Sequence, residues 1–385
     1  MAKVLVIGDT PNMHTGFSRV VREICNELIK QHEIKVIGWY YKNEKHNFPY
    51  QIISSIDLND YYGIRQTYTI VDCWQPDIVL TIGDPWMIGW IPQLPNRNKF
   101  KWIGYYPLDA VPLPKQWYPI FENMDAPVVY SEFAYKLMKE SLPHLNTRFI
   151  PHGVDTDVFH PIHEKEIKKF RKKFNISDKT YITGIIGRNQ WRKNLPAMFK
   201  AFSIFCQDKP NAMLYYHGSK TDYLGWNIPN LIDCFNLENR VLMINEITPA
   251  IGIPENDLVK IYNMLDVLLH GVHSEGYGLP IAESNACGVP PIVTNFSSCP
   301  ELVEYREDQL INISDYICFA NSEKEGAILW YAIPSVNDMV NKMNKLYYNP
   351  DLRKKYGELG RQWALKNQWK HFIPIFNKVI DDVLS

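Results

Sequence analysis

The sequence predicts an α/β protein built from two doubly wound parallel-sheet domains, and three observations carry that expectation. Short apolar runs of strand length alternate with amphipathic helical stretches from residue 3 to about 150, and the alternation starts afresh at 180. The chain has 385 residues, more than one hydrophobic core usually organises. A glycine-bearing loop lies between an apolar run and a short helical stretch at 266–290, a common way to build a ligand loop in such sheets.

Taken in order, residues 3–7 form a continuous apolar run, as expected of a strand buried on both faces. A loop carrying His14, Thr15 and Gly16 follows, then a helix over 17–30 with Val20, Val21, Ile24 and Leu28 on one face. That loop lacks G-x-G-x-x-G, which disfavours a dehydrogenase. Further strands are expected at 34–39, 77–82, 101–106, 127–130 and 148–150, with helices at 61–74, 115–124 and 132–141. Ligands of such sheets bind outside the carboxyl ends of the strands, which singles out the loops holding Trp86 and Asp109. Of the first domain's tryptophans, Trp86, Trp90, Trp102 and Trp117, most are expected to fill core.

The second alternation opens with a strand at 181–186, then Gly187, Arg188 and Lys193 before a helix at 195–206. Cations just past a strand end and before a helix are placed to neutralise phosphates. Strands at 213–217, ending in His217, and at 241–245, ending near Glu246, come next, then a helix at 256–265. The organising stretch is Ser274-Glu275-Gly276-Tyr277-Gly278-Leu279-Pro280-Ile281-Ala282-Glu283, continuing to Gly288 and Pro290. Pro280 suits the first position of a helix and Gly288 the residue past its end. Backbone N–H groups and a helix dipole then converge on one spot, an arrangement that holds phosphate oxygens. Glu275 and Glu283 flank it, and carboxylates accept hydrogen bonds from hydroxyls. A strand at 289–294 and helices at 336–347, 350–367 and 372–384 complete the chain.

Composition narrows the class. Hydrophobic residues make up 46% and charged residues 22%, ordinary for a globular protein. A formal net charge of -1 argues against affinity won by blanketing nucleic-acid phosphates. Seven scattered cysteines without a C-x-x-C pair point to free thiols in a reducing, cytoplasmic compartment. No secretory leader or membrane span is expected from the apolar runs. The basic segment 164–173 reads as a solvated linker helix and leaves peripheral contact with a membrane open.

The paired glutamates in S-E-G-Y-G-L-P and E-S-N-A-C-G-V-P resemble the donor-site signature of retaining glycosyltransferases of the GT-B fold, glycosyltransferase family four in particular. The segment Pro151-His152-Gly153-Val154-Asp155 resembles that family's P-N-G-V-D, with His152 where asparagine is usual. Asp155 and Asp157 would suit a metal, but the resemblance implies none, and no cofactor. Where the family commonly has glycines, this chain has Ser297 and Ser298.

The resemblance implies two Rossmann-like domains facing a central cleft: an acceptor domain at 1–160, a donor domain at 175–365, and a C-terminal helix, 366–385, crossing back to the first. It implies a UDP- or GDP-linked nucleotide sugar, with domain closure excluding water. Glu283 is assigned to the ribose and Glu275 to the donor sugar, with Arg188 and Lys193 on the diphosphate. Gly16, Gly187, His217, Gly276, Tyr277, Gly278 and Leu279 join the donor site. His14, Thr15, Trp86 and Asp109 are assigned to the acceptor, with Asp109 also a candidate in catalysis. The acceptor stays open among a glycan, a lipid, a protein and a modified nucleobase in DNA, the last not favoured by the charge. Two other classes stay open: a nucleotide-sugar epimerase of similar fold, and a silent nucleotide-binding subunit.

Overall fold

The computed structural model describes residues 1–55, 60–243, 252–321 and 327–385. Two compact units emerge. One comprises Met1–Gly153, Cys318–Trp330 and Trp369–Ser385, the other Val154–Ile317 and Tyr331–Gln368.

The first unit runs β1 (Lys3–Asp9), α1 (Gly16–Leu28), β2 (Glu33–Trp39), β3 (Gln51–Ser54), α2 (Ile64–Trp74), β4 (Ile78–Ile82) and α3 (Pro85–Ile88). It continues with β5 (Lys101–Tyr106), α4 (Tyr118–Glu122), β6 (Ala126–Val129), α5 (Glu132–Ser141) and β7 (Arg148–Phe149). The seven strands pair in the order β3-β2-β1-β4-β5-β6-β7, and every pairing is parallel. Strand order reverses between β1 and β4, where crossovers leave to opposite sides and open a crevice at the carboxyl ends. Val4, Val6, Val79, Ile82, Ile103 and Val128 are buried, as the continuous apolar runs require.

The second unit runs α6 (Glu164–Lys173), β8 (Tyr181–Ile186), α7 (Leu195–Phe205), β9 (Ala212–His217), α8 (Ile228–Cys234), β10 (Val241–Met243), α9 (Glu255–Met264) and β11 (Val267–His270). Then come α10 (Leu279–Ala286), β12 (Pro291–Thr294), β13 (Leu310–Ile311), α11 (Val336–Tyr348) and α12 (Pro350–Lys366), while the two-stranded sheet of β14 (Ile313–Asn321) and β15 (Ala327–Pro334), between β13 and α11 in the chain, has its Cys318–Trp330 part in the first unit. The second unit's parallel sheet has the order β10-β9-β8-β11-β12-β13, reversing between β8 and β11. Phe199, Phe202 and Phe205 of α7 and Met339 and Met343 of α11 pack over Leu214, Leu269 and Ile292 of the sheet.

The last helix, α13 (Trp369–Leu384), belongs to the first unit. Trp369 lies 5.4 Å from the His152 ring and Phe376 5.0 Å from Tyr105, while Arg148 pairs with Asp382 at 3.0 Å. His152 stacks on Tyr130, with ring centroids 4.0 Å apart, and its Nδ1 meets the Tyr105 hydroxyl at 2.7 Å. Burial holds this imidazole far below its ordinary value, at about 3, so it sits there neutral.

Several elements depart from the sequence expectation. Pro280 occupies the second position of α10, not the first, because Gly278 caps the helix and Leu279 begins it. The expected helix at 115–124 is a 3-10 turn, Lys115–Trp117, followed by the short α4. Strand β10 is described to Met243, and Asn245 and Glu246 lie outside the described residues. Elements β3, α3, α8, β13, β14 and β15 were not expected. In β15 exposed Ile328 and Trp330 alternate with buried Ala327, Leu329 and Tyr331, so an apolar residue stands on both faces and the period-two contrast disappears.

Candidate active site

The second sheet's reversal point gathers the ends of β8 and β11, and the organising stretch lies there. Past β8, Gly187 takes φ 156°, a conformation L side chains rarely adopt, and its N–H donates to the His217 carbonyl at 3.0 Å. Asn189 then ties the loops after β8 and β9 together, donating to the Ser219 and Trp226 carbonyls and accepting from the Trp226 N–H at 2.8 Å. A 3-10 turn, Trp191–Lys193, follows, and Asn194 donates to the Gly271 carbonyl at 3.0 Å. That bond sets Lys193 against the loop after β11.

Glu275 is the hub. Only 4% exposed, it pairs with the Lys193 ammonium, with Arg192 Nη1 at 3.0 Å and with His270 Nε2 at 2.9 Å. Burial by itself would raise its pKa, but the Lys193 and Arg192 charges outweigh burial and hold the carboxyl well below the usual range. Burial also lowers the His270 pKa, leaving a neutral ring that donates Nε2–H to the carboxylate.

Ser297 and Ser298 stand where glycines were expected, and both brace this loop. Ser297 Oγ accepts the Glu275 N–H at 2.9 Å, while Ser298 Oγ lies 2.9 Å from the Glu275 carbonyl and 2.7 Å from that of Tyr277. Ser297 holds φ 52°, the left-handed region a glycine would favour. The Glu275 amide is thereby engaged. Three others nearby are not: among the described residues the N–H groups of Gly276, Gly278 and Leu279 find no acceptor. Gly278 caps α10 at φ 107°, so two of these amides are the orphan donors of a helix start. At the far end Gly288, at φ 72°, donates to the Asn285 carbonyl.

Glu283 lies one turn into α10, is 5% exposed, and accepts the Tyr262 hydroxyl at 2.7 Å. Sequence reasoning missed Tyr262, Arg192 and His270 as members of the site. His270 and Arg192 carried a signal, one ending β11 and the other adjoining Lys193; Tyr262, inside α9, carried none.

Other assigned residues fall elsewhere. Arg188 does not join the Glu275 cluster: Nε pairs with Asp222 at 3.3 Å and the side chain is 40% exposed. Partly buried His217 meets the Tyr215 hydroxyl at 3.2 Å, and burial lowers its pKa to about 4. In the first unit, Thr15 caps α1, accepting the Ser18 N–H at 3.1 Å and donating to Asp9 at 2.5 Å, with exposed His14 before it and Gly16 beginning the helix. Trp86 and Asp109 line one recess of that unit. Trp102 is wholly buried, and its Nε1 donates to Thr81 at 3.0 Å. Asp155 accepts the N–H groups of Asp157 and Val158, which makes it a turn residue.

Residues 166–363, just over half the chain, match the family described as glycosyl transferases group 1. The chain belongs to this family. It is 23% identical to D-inositol 3-phosphate glycosyltransferase of Corynebacterium jeikeium over 239 residues, 61% of this chain and 52% of that one. It is 29% identical to O-antigen chain mannosyltransferase B of Escherichia coli over 118 residues, 31% of this chain and 29% of that one. The chain thus spans about half the length or less of these two curated relatives. Among solved structures, sucrose-phosphate synthase from Thermosynechococcus elongatus matches with TM-score 0.77 at 18% identity, covering 100% of this chain and 99% of that one. Anabaena HepE in complex with UDP and glucose matches with TM-score 0.77 at 13% identity, covering 99% and 100%. These likenesses establish the GT-B fold of glycosyltransferases. No helix among the described residues is long and apolar enough to cross a membrane.

Proposed function

We propose that the chain is a retaining glycosyltransferase that moves a sugar from a nucleoside-diphosphate sugar, UDP- or GDP-linked, to an acceptor hydroxyl. One observation carries the reading: at the second sheet's reversal point two cations, Lys193 and Arg192, stand against one carboxylate, Glu275. The cluster adjoins the Gly276, Gly278 and Leu279 amides, whose N–H groups have no acceptor among the described residues. Cation excess and a helix start together suit a diphosphate. Anabaena HepE, a solved structure of similar fold in complex with UDP and glucose, supports the same ligand class.

In this mechanism the diphosphate takes hydrogen bonds from the three amides and draws Lys193 and Arg192 towards it. Negative charge grows on the leaving phosphate as the anomeric bond breaks, and donors already in place stabilise it. Glu283, oriented through one oxygen by Tyr262, accepts the ribose hydroxyls with the other. Glu275, released from part of its pairing, accepts donor sugar hydroxyls. The acceptor oxygen attacks the face the phosphate leaves, and a phosphate oxygen takes its proton. No step calls for a metal.

The test is incubation with UDP-glucose and GDP-mannose, with and without candidate acceptors, followed by NMR of the anomeric centre. Acceptor-dependent release of nucleoside diphosphate with retained configuration supports the reading. A new sugar nucleotide made without acceptor establishes an epimerase, and no turnover by any donor returns the chain to a binding role.

A further inference from the structure

His270 is the last residue of β11, where the pairing with Val293 of β12 fixes its backbone. The side chain is 2% exposed, and Nε2 donates to Glu275 Oε1 at 2.9 Å, the oxygen that also meets the Lys193 ammonium. Arg192 Nη1 donates to the other oxygen, Oε2, at 3.0 Å. Three donors thus hold one carboxylate, and they differ in kind. Lys193 and Arg192 are cations at the ends of long side chains on a 3-10 turn, able to leave for a stronger anion. His270 is short, buried and seated in a sheet, and burial outweighs the pull of Glu275 and keeps its ring uncharged.

We propose that His270 is a positioning residue for the transfer: it keeps Glu275 Oε1 tied to the sheet while Lys193 and Arg192 turn to the diphosphate, so that Oε2 is presented to the donor sugar. The inference rests on the transferase reading and names the oxygen that reading leaves open. A diphosphate carries more negative charge than one carboxylate and competes for both cations. An uncharged Nε2–H has no such reason to move, and its bond to Oε1 keeps the carboxylate from rotating. A neutral donor also leaves the carboxylate's charge in place, where a lysine would cancel it. Glu275 therefore meets the sugar as an anion, suited to hydroxyls and to positive charge growing at the anomeric centre.

The experiment compares the full chain with His270→Gln, His270→Asn and His270→Leu. Glutamine can set an amide N–H where Nε2–H stands, asparagine reaches only to the Nδ1 position, and leucine offers no donor. Release of nucleoside diphosphate from UDP-glucose and GDP-mannose gives kcat and KM. The proposal expects the leucine and asparagine variants to lose about tenfold in kcat, as one hydrogen bond to a charged group is worth, with KM moved by less than about threefold. Glutamine should hold kcat within about threefold of wild type. A packing role predicts the reverse order, because leucine suits a buried position and an extra amide does not. Wild-type kcat in the leucine variant overturns the proposal, and so does a glutamine variant no better than leucine. Should the variants fail to fold, ¹⁵N spectra of the histidine-labelled wild type decide, with the ring assigned through its own backbone: Nε2 must carry the ring proton when UDP is bound, and a bare Nε2 overturns the assignment. Any of these failures alongside wild-type turnover removes this inference alone. Failure of the wild type to turn over either donor removes the transferase reading, and this inference with it.

Discussion

Arg192 places Nη1 3.0 Å from Glu275 Oε2 and 3.1 Å from the Ser274 carbonyl, so one guanidinium fixes both the charge and the backbone of the loop that precedes α10. Arg188, the arginine nearer the strand end, faces Asp222 instead. The cation that completes the hub is therefore the one next to Lys193.

Breaking that hub from one side leaves a buried charge short of partners. Lys193→Met should lower stability by roughly 3 kcal/mol, since removing one member of a buried ion pair costs about that much. Arg192→Leu, with a side chain 29% exposed, should cost less. Urea unfolding of the two variants checks the order, and equal losses contradict it.

Ser297 separates a hydrogen bond from backbone strain. Ser297→Ala loses the acceptor of the Glu275 N–H and keeps φ 52°, and should cost about 1 kcal/mol. Ser297→Gly loses the same bond but relieves about 1 kcal/mol of left-handed strain, so its stability should stay near wild type. Denaturant midpoints that rank the alanine variant above the glycine variant refute this account.

Tyr262→Phe removes the hydroxyl that donates to Glu283 at 2.7 Å, and the carboxylate should then swing. Nucleotide affinity should fall about tenfold, in line with 1.5–3 kcal/mol for roughly one hydrogen bond to a charged group. Calorimetric titration with UDP and GDP reads the change, and unchanged affinity for the nucleotide that binds would separate Tyr262 from the site.

Acid should unfold the first unit through His152. Its folded pKa of about 3 lies below the ordinary value of 6.5, so its stability contribution is complete above 6.5 and is lost as pH falls towards 3. From pH 6.5 to 5 the loss should reach roughly 2 kcal/mol. His152→Asn, which cannot titrate, should remove that part of the slope between pH 7 and 5. Glu275 acts lower: its depressed pKa gives stability above the unfolded carboxyl value that disappears below it. Identical pH profiles for wild type and His152→Asn contradict the assignment.

Both parallel sheets could be read from the sequence because their central strands are apolar on both faces, as in β8, where Tyr181, Ile182, Ile185 and Ile186 are all buried. The loop before α10 was legible through Gly278, Pro280 and Gly288, residues whose backbone preferences mark a helix's ends. What pairs with what was not legible. Arg188 and Arg192 are alike in sequence, and only the turn at Trp191–Lys193 decides which guanidinium reaches Glu275. Tyr262 lay hidden because an aromatic on a helix reads as core, which it is, apart from its hydroxyl. Thr15 looked like a ligand-loop residue and is a helix cap.

The measurement closest to the central claim is a thermal-shift screen against UDP, GDP, ADP and their common sugar conjugates, run on wild type and Glu283→Ala. A ligand that binds only the folded chain stabilises it by about 2.7 kcal/mol at a hundredfold excess over Kd. The account predicts that one nucleotide raises the wild-type Tm and shifts the variant much less. If no nucleotide raises it, or if the variant responds as the wild type does, the donor site at the start of α10 is wrong.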